Sequence, residues 1–314
     1  MSSLIEQAAL RLEQLRRAGV ELPDDVYATR ASAPTDQEVS AAVAAAAPAE
    51  VFKRVEEPPH PAAKRVELDL VALAVQGFLT PNSSRSHIAD QYRVIKRPLI
   101  KNAMGKGVTT LNHANLIMVT SALAGEGKSF TSLNLALSIA AELDNTVMLV
   151  DADVARPSVL RMLGLPQGPG LLDVLVDNVD MAEVLLRTNV DKLTLLPSGT
   201  PHARATELLA SDAMSQLLDN MAQRYPDRII IFDSPPLLLT TESRVLASHM
   251  GQIVVVVHAE KTPQSAVQQA LAAIENCPLK MMLLNQASPN ASGGYGYGYG
   301  YGYGYGYGNE ASKS

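Results

Sequence analysis

The 314-residue chain is poor in several residue types, and each shortage excludes a class of protein. A single cysteine, Cys277, rules out an internal disulfide and indicates a reducing compartment. The six histidines are scattered without a pair at metal-ligand spacing, which argues against a zinc site. Lysine and arginine total 26 against 32 acidic residues, so the chain lacks the basic excess that nucleic-acid binding requires. We therefore expect no nucleic-acid partner.

Long apolar runs are also missing from the sequence. No stretch approaches the roughly 18–20 apolar residues that a membrane-spanning helix needs. The N-terminus shows no basic region followed by an apolar one, which a secretory signal would require. The sequence therefore predicts a cytoplasmic protein, and recruitment to the inner face of the cell membrane would have to come through a partner.

Composition divides the chain into three predicted regions. The first, residues 1–65, has an amphipathic helix at 3–19, either packed on the main domain or used for docking, and then an Ala/Pro-rich linker. Residues 66–290 have the pattern of a folded domain. Residues 291–314 form a tail with seven consecutive Tyr-Gly pairs. We expect this tail to be flexible, because glycine raises the entropy cost of ordering and little else there is apolar.

Short apolar runs alternate with helical patterns in the folded region. The predicted buried strands lie at 116–120, 147–150, 193–196, 229–232, 253–257 and 281–284. The predicted helices lie at 129–143, 205–224 and 264–274. Strands that alternate with helices indicate an α/β fold with a doubly wound, mostly parallel sheet.

A glycine loop follows the first of these strands and precedes a helix, which is the context of a phosphate-binding loop. Its backbone amides would surround phosphate oxygens, Lys128 would contact the β- and γ-phosphates, and Ser129 would offer Mg²⁺ a hydroxyl ligand. The predicted nucleotide-binding residues of the loop are Ala124, Gly125, Glu126, Gly127, Lys128, Ser129 and Phe130. The usual first glycine is Ala122 here, so a structural glycine turn stays open as the alternative for this motif alone.

Carboxylates stand at the ends of two further predicted strands. Asp151 and Asp153 follow the strand at 147–150, and Asp233 follows the strand at 229–232. Open α/β sheets bind ligands at the carboxyl ends of their strands, where acids can hold Mg²⁺ and accept a proton from an attacking hydroxyl. Each aspartate alone could instead cap a helix or a turn. Three motifs in this order predict a nucleotide site.

The combination of motifs resembles the bacterial tyrosine kinases, a deviant Walker A branch of the P-loop NTPases. The resemblance covers roughly residues 86–290 and the tyrosine tail, and it includes the loop ending Gly-Glu-Gly-Lys-Ser and the Asp-Ala-Asp and Asp-Ser-Pro-Pro motifs. Partitioning and septum-placement ATPases carry a second lysine in the loop, where this chain has Leu123. The N-terminal extension and residues 92–99 look most like tyrosine autokinases of exosortase-associated exopolysaccharide loci.

The resemblance, together with the chemistry that phosphoryl transfer needs, implies ATP and Mg²⁺ as cofactors and gives roles to single residues. Lys128 would neutralise phosphate charge, and Asp151 would act as the base toward the tyrosine hydroxyl with support from Asp153. The implied metal ligands are Ser129, Asp151 and Asp233. Asn285 matches a position that often contacts adenine in this fold class, although asparagine is also a good turn former.

The family joins its subunits into ring-like homo-oligomers through a Glu-x-x-Arg-x-x-Arg helix. Asp90, Arg93 and Lys96 occupy the matching positions here, with an ordinary solvated helix face as the alternative. The resemblance also implies a membrane-embedded chain-length determinant as the activating partner.

The tail would then be the substrate of the kinase, phosphorylated in trans. The predicted phosphoacceptors are Tyr295, Tyr297, Tyr299, Tyr301, Tyr303, Tyr305 and Tyr307. The alternative for the tail is a self-adhesive, low-complexity segment. The sequence therefore predicts a tyrosine autokinase that regulates exopolysaccharide synthesis, polymerisation or export. A P-loop switch ATPase and an ATP-gated adaptor without kinase activity are the alternatives.

Overall fold

The computed structural model describes residues 64–81, 86–107, 111–224 and 227–288. The predicted helix at 3–19 and the tyrosine tail lie outside these residues. The strands of the described part are β1 Lys64–Val66, β2 Leu116–Ser121, β3 Thr146–Asp151, β4 Leu186–Thr188, β5 Leu193–Leu196, β6 Arg228–Asp233, β7 Gln252–His258 and β8 Lys280–Asn285.

Ten helices connect and cover the strands in the same described part. They are α1 Leu70–Val75, α2 His87–Ala103, α3 Lys128–Ala140, α4 Val159–Met162, α5 Leu171–Asp177, α6 Met181–Val184, α7 Ala205–Leu209, α8 Asp212–Arg224, α9 Glu242–Ser248 and α10 Gln264–Ala273. None of the described helices is long and apolar enough to cross a membrane.

The strands form one sheet in the order β1-β4-β5-β3-β6-β2-β7-β8. Every neighbouring pair is parallel except β4 and β5, which run antiparallel. This arrangement confirms the predicted α/β class with a mostly parallel sheet. The sheet begins at Lys64, so it includes two residues that the sequence assigned to the linker.

Both faces of the sheet are covered, which explains why its central strands are continuous apolar runs. Along β2, Ile117 and Val119 pack into one core with α2 and α3, whereas Leu116 and Met118 pack into a second core with α8, α9 and α10. Successive strand residues point to opposite faces, so one run of sequence supplies both cores. Each fully buried side chain of this size contributes about 1.5–3 kcal/mol through removal from water.

One predicted helix is two helices in the structure. The sequence favoured a single helix over 205–224, but α7 ends at Leu209 and α8 begins at Asp212. The hydroxyl of Ser211 donates to the carbonyl of Leu208 at 2.7 Å and accepts from the amide of Met214 at 3.2 Å. This serine therefore ends one helix and caps the next, as its short polar side chain allows.

Helix α2 packs against α3, the helix that follows the glycine loop. Tyr92 is buried there, and burial raises the pKa of its hydroxyl to about 12, although the polar side chains of Thr131 and Asn134 nearby oppose this shift. Lys96 is also buried, and this corrects its prediction as a subunit contact. Its contacts lie within the chain, because its Nζ donates to the carbonyl of Ser138 at 2.6 Å and lies 2.5 Å from Oε1 of Glu142.

Asp90 and Arg93 differ from Lys96 in lying on the exposed side of α2. Their side chains are 65% and 41% exposed, and they form an ion pair with each other. Their role in joining subunits therefore stays a prediction, and it now depends on these two residues rather than on three.

Candidate active site

The glycine loop lies between the end of β2 and the start of α3. Gly125 and Gly127 adopt φ angles of +82° and +91°, a region that costs glycine little and other residues more. At Gly127 space is also limiting, because a Cβ would lie 2.1 Å from Nδ2 of Asn285. The amides of the first turn of α3 have no partner within the helix, and a helix N-terminus favours anions. The loop therefore has the geometry of a phosphate-binding loop.

The carboxylate of Glu126 is buried and holds this loop in shape. One oxygen accepts a hydrogen bond from the amide of Leu123 at 2.6 Å, and the other accepts one from the hydroxyl of Thr262. Thr262 lies in the turn after β7, where its hydroxyl also accepts from the amide of His258 at 3.1 Å. Glu126 was predicted to bind nucleotide, but its side chain is committed to the protein, and only its main chain is left for that role.

Phe130 and Asn285 were also predicted to bind nucleotide. The ring of Phe130 packs against Phe78 with 5.0 Å between ring centroids, so its side chain belongs to the core. Asn285, at the end of β8, donates from Nδ2 to the carbonyl of Glu126 at 2.9 Å. The structure therefore places Asn285 against the glycine loop, and its contact with adenine stays a prediction.

The predicted acidic residues lie together beside the loop. Asp151 and Asp233 are register partners at the ends of β3 and β6. Nζ of Lys128 donates to Oδ2 of Asp153 at 2.8 Å and lies 3.3 Å from Oγ of Ser129. Because β2, β3 and β6 are adjacent and parallel, their carboxyl ends bring residues from three sequence motifs to one edge.

Hydrogen bonds hold the two strand-end carboxylates in place. Oδ2 of Asp151 accepts from the amides of Ser158 and Val159, both at 2.9 Å. Oδ1 of Asp233 accepts from the hydroxyl of Ser132 at 3.0 Å, and its Oδ2 accepts from the hydroxyl of Ser158 at 3.4 Å. Among the described residues, nothing bonds to the buried Oδ1 of Asp151. That oxygen is therefore a buried hydrogen-bond acceptor without a partner in the described part of the site.

Burial and mutual charge shift the proton affinities of these groups. Burial and the nearby charge of Asp233 raise the pKa of Asp151 to about 7. Burial also raises the pKa of Asp233, against the opposing charge of Lys128. Burial alone would lower the pKa of Lys128, but the negative charges of Asp233 and Asp153 outweigh it and raise the pKa. A cationic lysine beside a carboxyl group that exchanges its proton near neutral pH suits acid–base chemistry on a phosphoryl acceptor.

The predicted Mg²⁺ ligands are oxygen atoms that converge beside Lys128. Oγ of Ser129 lies 3.3 Å from Nζ of Lys128, whose charge also acts on Asp233, and the unpartnered Oδ1 of Asp151 belongs to the neighbouring strand end. No group of three His, Cys, Asp or Glu side chains in the described ranges could hold a metal alone. This donor set fits Mg²⁺, which proteins commonly bind through one or two carboxylates together with substrate phosphates.

Three residues of the site were not predicted from the sequence: Ser132, Ser158 and Thr262. Ser132 lies one helical turn after Lys128, so its place on the same face of α3 could have indicated it. Ser158 lies seven residues after Asp151, so its closeness to the Asp-Ala-Asp motif in the sequence could have indicated it. Thr262 had no local signal, because it meets Glu126 only through the folding of the sheet.

Comparison with known proteins gives the family of the chain. An AAA domain family model matches residues 114–286. Tyrosine-protein kinase YwqD of Bacillus subtilis is 30% identical over 194 residues, which span 62% of this chain and 78% of YwqD. The chain belongs to the bacterial tyrosine-protein kinases.

Other members of the family differ from this kinase in length. Tyrosine-protein kinase ptk of Acinetobacter johnsonii is 30% identical over 242 residues, which cover 72% of this chain but 33% of ptk. The kinase domain of Escherichia coli tyrosine kinase ETK superposes with a TM-score of 0.60 at 25% identity, covering 71% of this chain and 85% of that domain. This tyrosine-protein kinase therefore matches the kinase domain of its relatives, and it spans only part of the length of ptk.

Proposed function

We propose that this kinase transfers the γ-phosphoryl group of ATP to the tyrosines of its own tail, between subunits of a homo-oligomer. The observation that carries the proposal is the convergence of Lys128, Asp151, Asp153 and Asp233 beside the glycine loop. Phosphoryl transfer needs mainly positioning and charge stabilisation, so no covalent nucleophile on the enzyme is required.

Oδ1 of Asp151, which has no hydrogen-bond partner among the described residues, would accept the proton of the attacking tyrosine hydroxyl. The phenolic oxygen forms a bond to the γ-phosphorus while the bond to the bridging oxygen breaks, and ADP leaves. Lys128 and the loop amides offset the negative charge that spreads over the phosphoryl oxygens. Mg²⁺ near Ser129, Asp151 and Asp233 would neutralise further phosphate charge when bound.

The tail has the length and composition of a substrate that reaches another subunit. Twenty residues, 289–308, would span about 25 Å on average as a random coil and at most about 70 Å when extended. Asp90 and Arg93 are the candidate contacts between subunits, since both are exposed on α2. A ring would bring each tail within reach of a neighbouring site.

Regulation of exopolysaccharide synthesis, polymerisation or export is the cellular role that we propose. Its support is the resemblance of the N-terminal extension and of residues 92–99 to autokinases of exopolysaccharide loci. In this role the kinase would act at the inner face of the membrane, recruited by a membrane-embedded chain-length determinant.

Incubation of the purified kinase with ATP and Mg²⁺, followed by detection of phosphotyrosine, tests the proposed activity. We expect label in the wild type and its loss, by at least a hundredfold, in Lys128→Met, Asp151→Asn and Asp233→Asn, each with a cooperative thermal melt. Near-normal phosphotyrosine in Lys128→Met would contradict the proposal.

A mixing experiment tests transfer between subunits. A chain that ends at residue 294 supplies active sites without acceptor tyrosines, and full-length Lys128→Met supplies acceptors without activity. We expect label on the tail of the inactive partner in the mixture and in neither protein alone. An unlabelled partner would exclude transfer between subunits.

A further inference from the structure

The outer edge of β8 is open in the described part of the chain. No described strand pairs with it on the side away from β7. The amide of Ile253 donates to the carbonyl of Leu279, and the amide of Ala259 donates to the carbonyl of Asn285, both at 2.9 Å. Because residues alternate along a parallel ladder, the odd-numbered residues of β8 face β7. The even-numbered ones, Met282 and Leu284 among them, direct their amides and carbonyls to the open edge.

The side chains of the same two residues are exposed and apolar. Met282 is 64% exposed and Leu284 is 65% exposed, whereas Met281 and Leu283 pack against the core on the other face. The lysine of the strand does not block pairing at this edge, because Nζ of Lys280 donates to the carbonyls of residues 274, 275 and 277 after α10. An unpaired, apolar edge strand without proline is a template for another strand.

The tail has the matching periodicity, and the described part of the chain ends shortly after this strand. The described residues end at Ser288, three residues after β8. From residue 295 to residue 308 tyrosine and glycine alternate strictly. Side chains of an extended strand point alternately to opposite faces, so all seven tyrosines would lie on one face and only glycines on the other. Residues 286–294 can form the return loop, and they include the adjacent Gly293 and Gly294.

We propose that the unphosphorylated tail adds to the open edge of β8 as an antiparallel strand, with tyrosine rings packed over Met282 and Leu284. Cross-strand pairs of aromatic and apolar side chains stabilise such ladders, and methionine sulfur packs well on aromatic rings. Glycine is a poor strand former, so the added strand is held weakly and can leave to act as substrate.

Phosphorylation would release the tail from this edge. A phosphotyrosine carries roughly -1.5 to -2 charges near neutral pH, and these would have to lie against the exposed Met282 and Leu284. The open edge therefore holds the tail before phosphorylation and rejects it afterwards. This inference does not depend on which kinase performs the reaction, so it can fail or hold independently of the proposed autokinase function.

Amide hydrogen exchange at single residues tests the docking. In phosphatase-treated full-length kinase, we expect the amides of Met282 and Leu284 to exchange at least tenfold more slowly than in a chain that ends at residue 294. The amides of Met281 and Leu283 are the internal control, because they face β7 and should stay protected in both proteins. Equal exchange of Met282 and Leu284 in the two proteins would overturn the proposal.

A substitution and a dilution series separate the tail from other occupants. Leu284→Lys should abolish the tail-dependent protection of Met282, whereas Val71→Lys, at another exposed apolar position, should leave it unchanged. Protection that persists without the tail and falls on dilution would assign the edge to a second copy of the chain and overturn the proposal.

Discussion

Glu126 belongs to the glycine loop by sequence, yet its carboxylate acts as a brace rather than as a ligand group. It accepts hydrogen bonds from the amide of Leu123 and the hydroxyl of Thr262, which lie beyond the carboxyl ends of β2 and β7. Asn285 adds a third contact through the main chain of Glu126. The loop shape that surrounds a phosphate therefore depends on the turn after β7 and on the last residue of β8.

Removal of the Thr262 hydroxyl should weaken this brace. Thr262→Val keeps the volume but leaves one oxygen of a buried carboxylate without its donor, which costs about 1–3 kcal/mol. We expect a lower urea midpoint and weaker ATP binding, with both restored in Thr262→Ser. Unchanged stability and ATP affinity in the valine variant would show that the contact is dispensable.

Asp173 makes a second brace, between the start of α5 and the turn after β5. Its Oδ2 accepts from the amides of Gly170 at 2.6 Å and Thr200 at 3.0 Å. Burial alone would raise the pKa of Asp173, but hydrogen bonds from Thr200 and from the amide of Gly170 outweigh it and lower the pKa. A group with a lowered folded-state pKa contributes stability above its unfolded pKa and loses that contribution as pH falls through the folded pKa.

Asp173→Asn should therefore destabilise the kinase at neutral pH by about 2 kcal/mol, the usual contribution of hydrogen bonds to a charged group. The difference from wild type should shrink as the pH falls below about 4, where the unfolded carboxyl group becomes protonated. Urea unfolding at a series of pH values measures this, and Asp177→Asn, at an exposed end of the same helix, is the control. A difference independent of pH would contradict the assignment.

Helix α2 carries a charge pattern that is visible in the sequence, but the structure gives one of its residues a different role from the predicted one. The spacing of Asp90, Arg93 and Lys96 indicated one charged face, but the third residue turns inward to the end of α3. A lysine ammonium at a helix C-terminus satisfies carbonyls that have no partner within the helix. Sequence alone does not distinguish this use of a lysine from a contact between subunits.

Lys96→Ala should therefore lower the stability of the fold rather than remove a contact between subunits. We expect a loss of about 1–3 kcal/mol in the free energy of unfolding, because the buried ammonium loses its bond to the carbonyl of Ser138 and its ion pair with the partly exposed Glu142. Lys101→Ala, at an exposed position of the same helix, should change stability little. A normal melt combined with loss of oligomers in Lys96→Ala would restore its role as a subunit contact.

The strands were predictable where burial on both faces leaves an unbroken apolar run. The run at 193–196 matches β5 in full, and the other five predicted strands each gain a residue at one or both ends. β1 and β4 were not predicted, because each has three residues, partly exposed, and no apolar run. Pairing with neighbours, rather than local sequence, makes them strands.

The site was predictable to the extent that strand ends determine it. Lys128 and the three aspartates follow predicted strands, and a parallel sheet brings such ends together. Contacts such as Thr262 with Glu126 join residues 136 positions apart and depend on which strands are neighbours. Strand order is a property of the whole fold, so local sequence gave no signal for these contacts.

Phosphorylation should also change the assembly of the kinase. Seven phosphotyrosines would add on the order of -10 to -14 charges to each chain, against an existing net charge of -6. Tails gathered around a ring would then repel one another, with screening beyond about 8–10 Å at physiological salt. We expect light scattering to give a smaller molecular mass before phosphatase treatment than after it. An unchanged mass would contradict charge-driven release.

The fate of the γ-phosphate separates a tyrosine autokinase from a switch ATPase. With ATP labelled at the γ-phosphate, the label in inorganic phosphate and the label in protein can be measured in the same reaction. Peptide mass spectrometry then identifies the labelled residues. We predict that protein-bound label exceeds free phosphate in the early phase, that it lies on tyrosines between 295 and 307, and that Lys128→Met abolishes both products. Release of phosphate by a wild-type kinase whose tail carries no label would contradict the account.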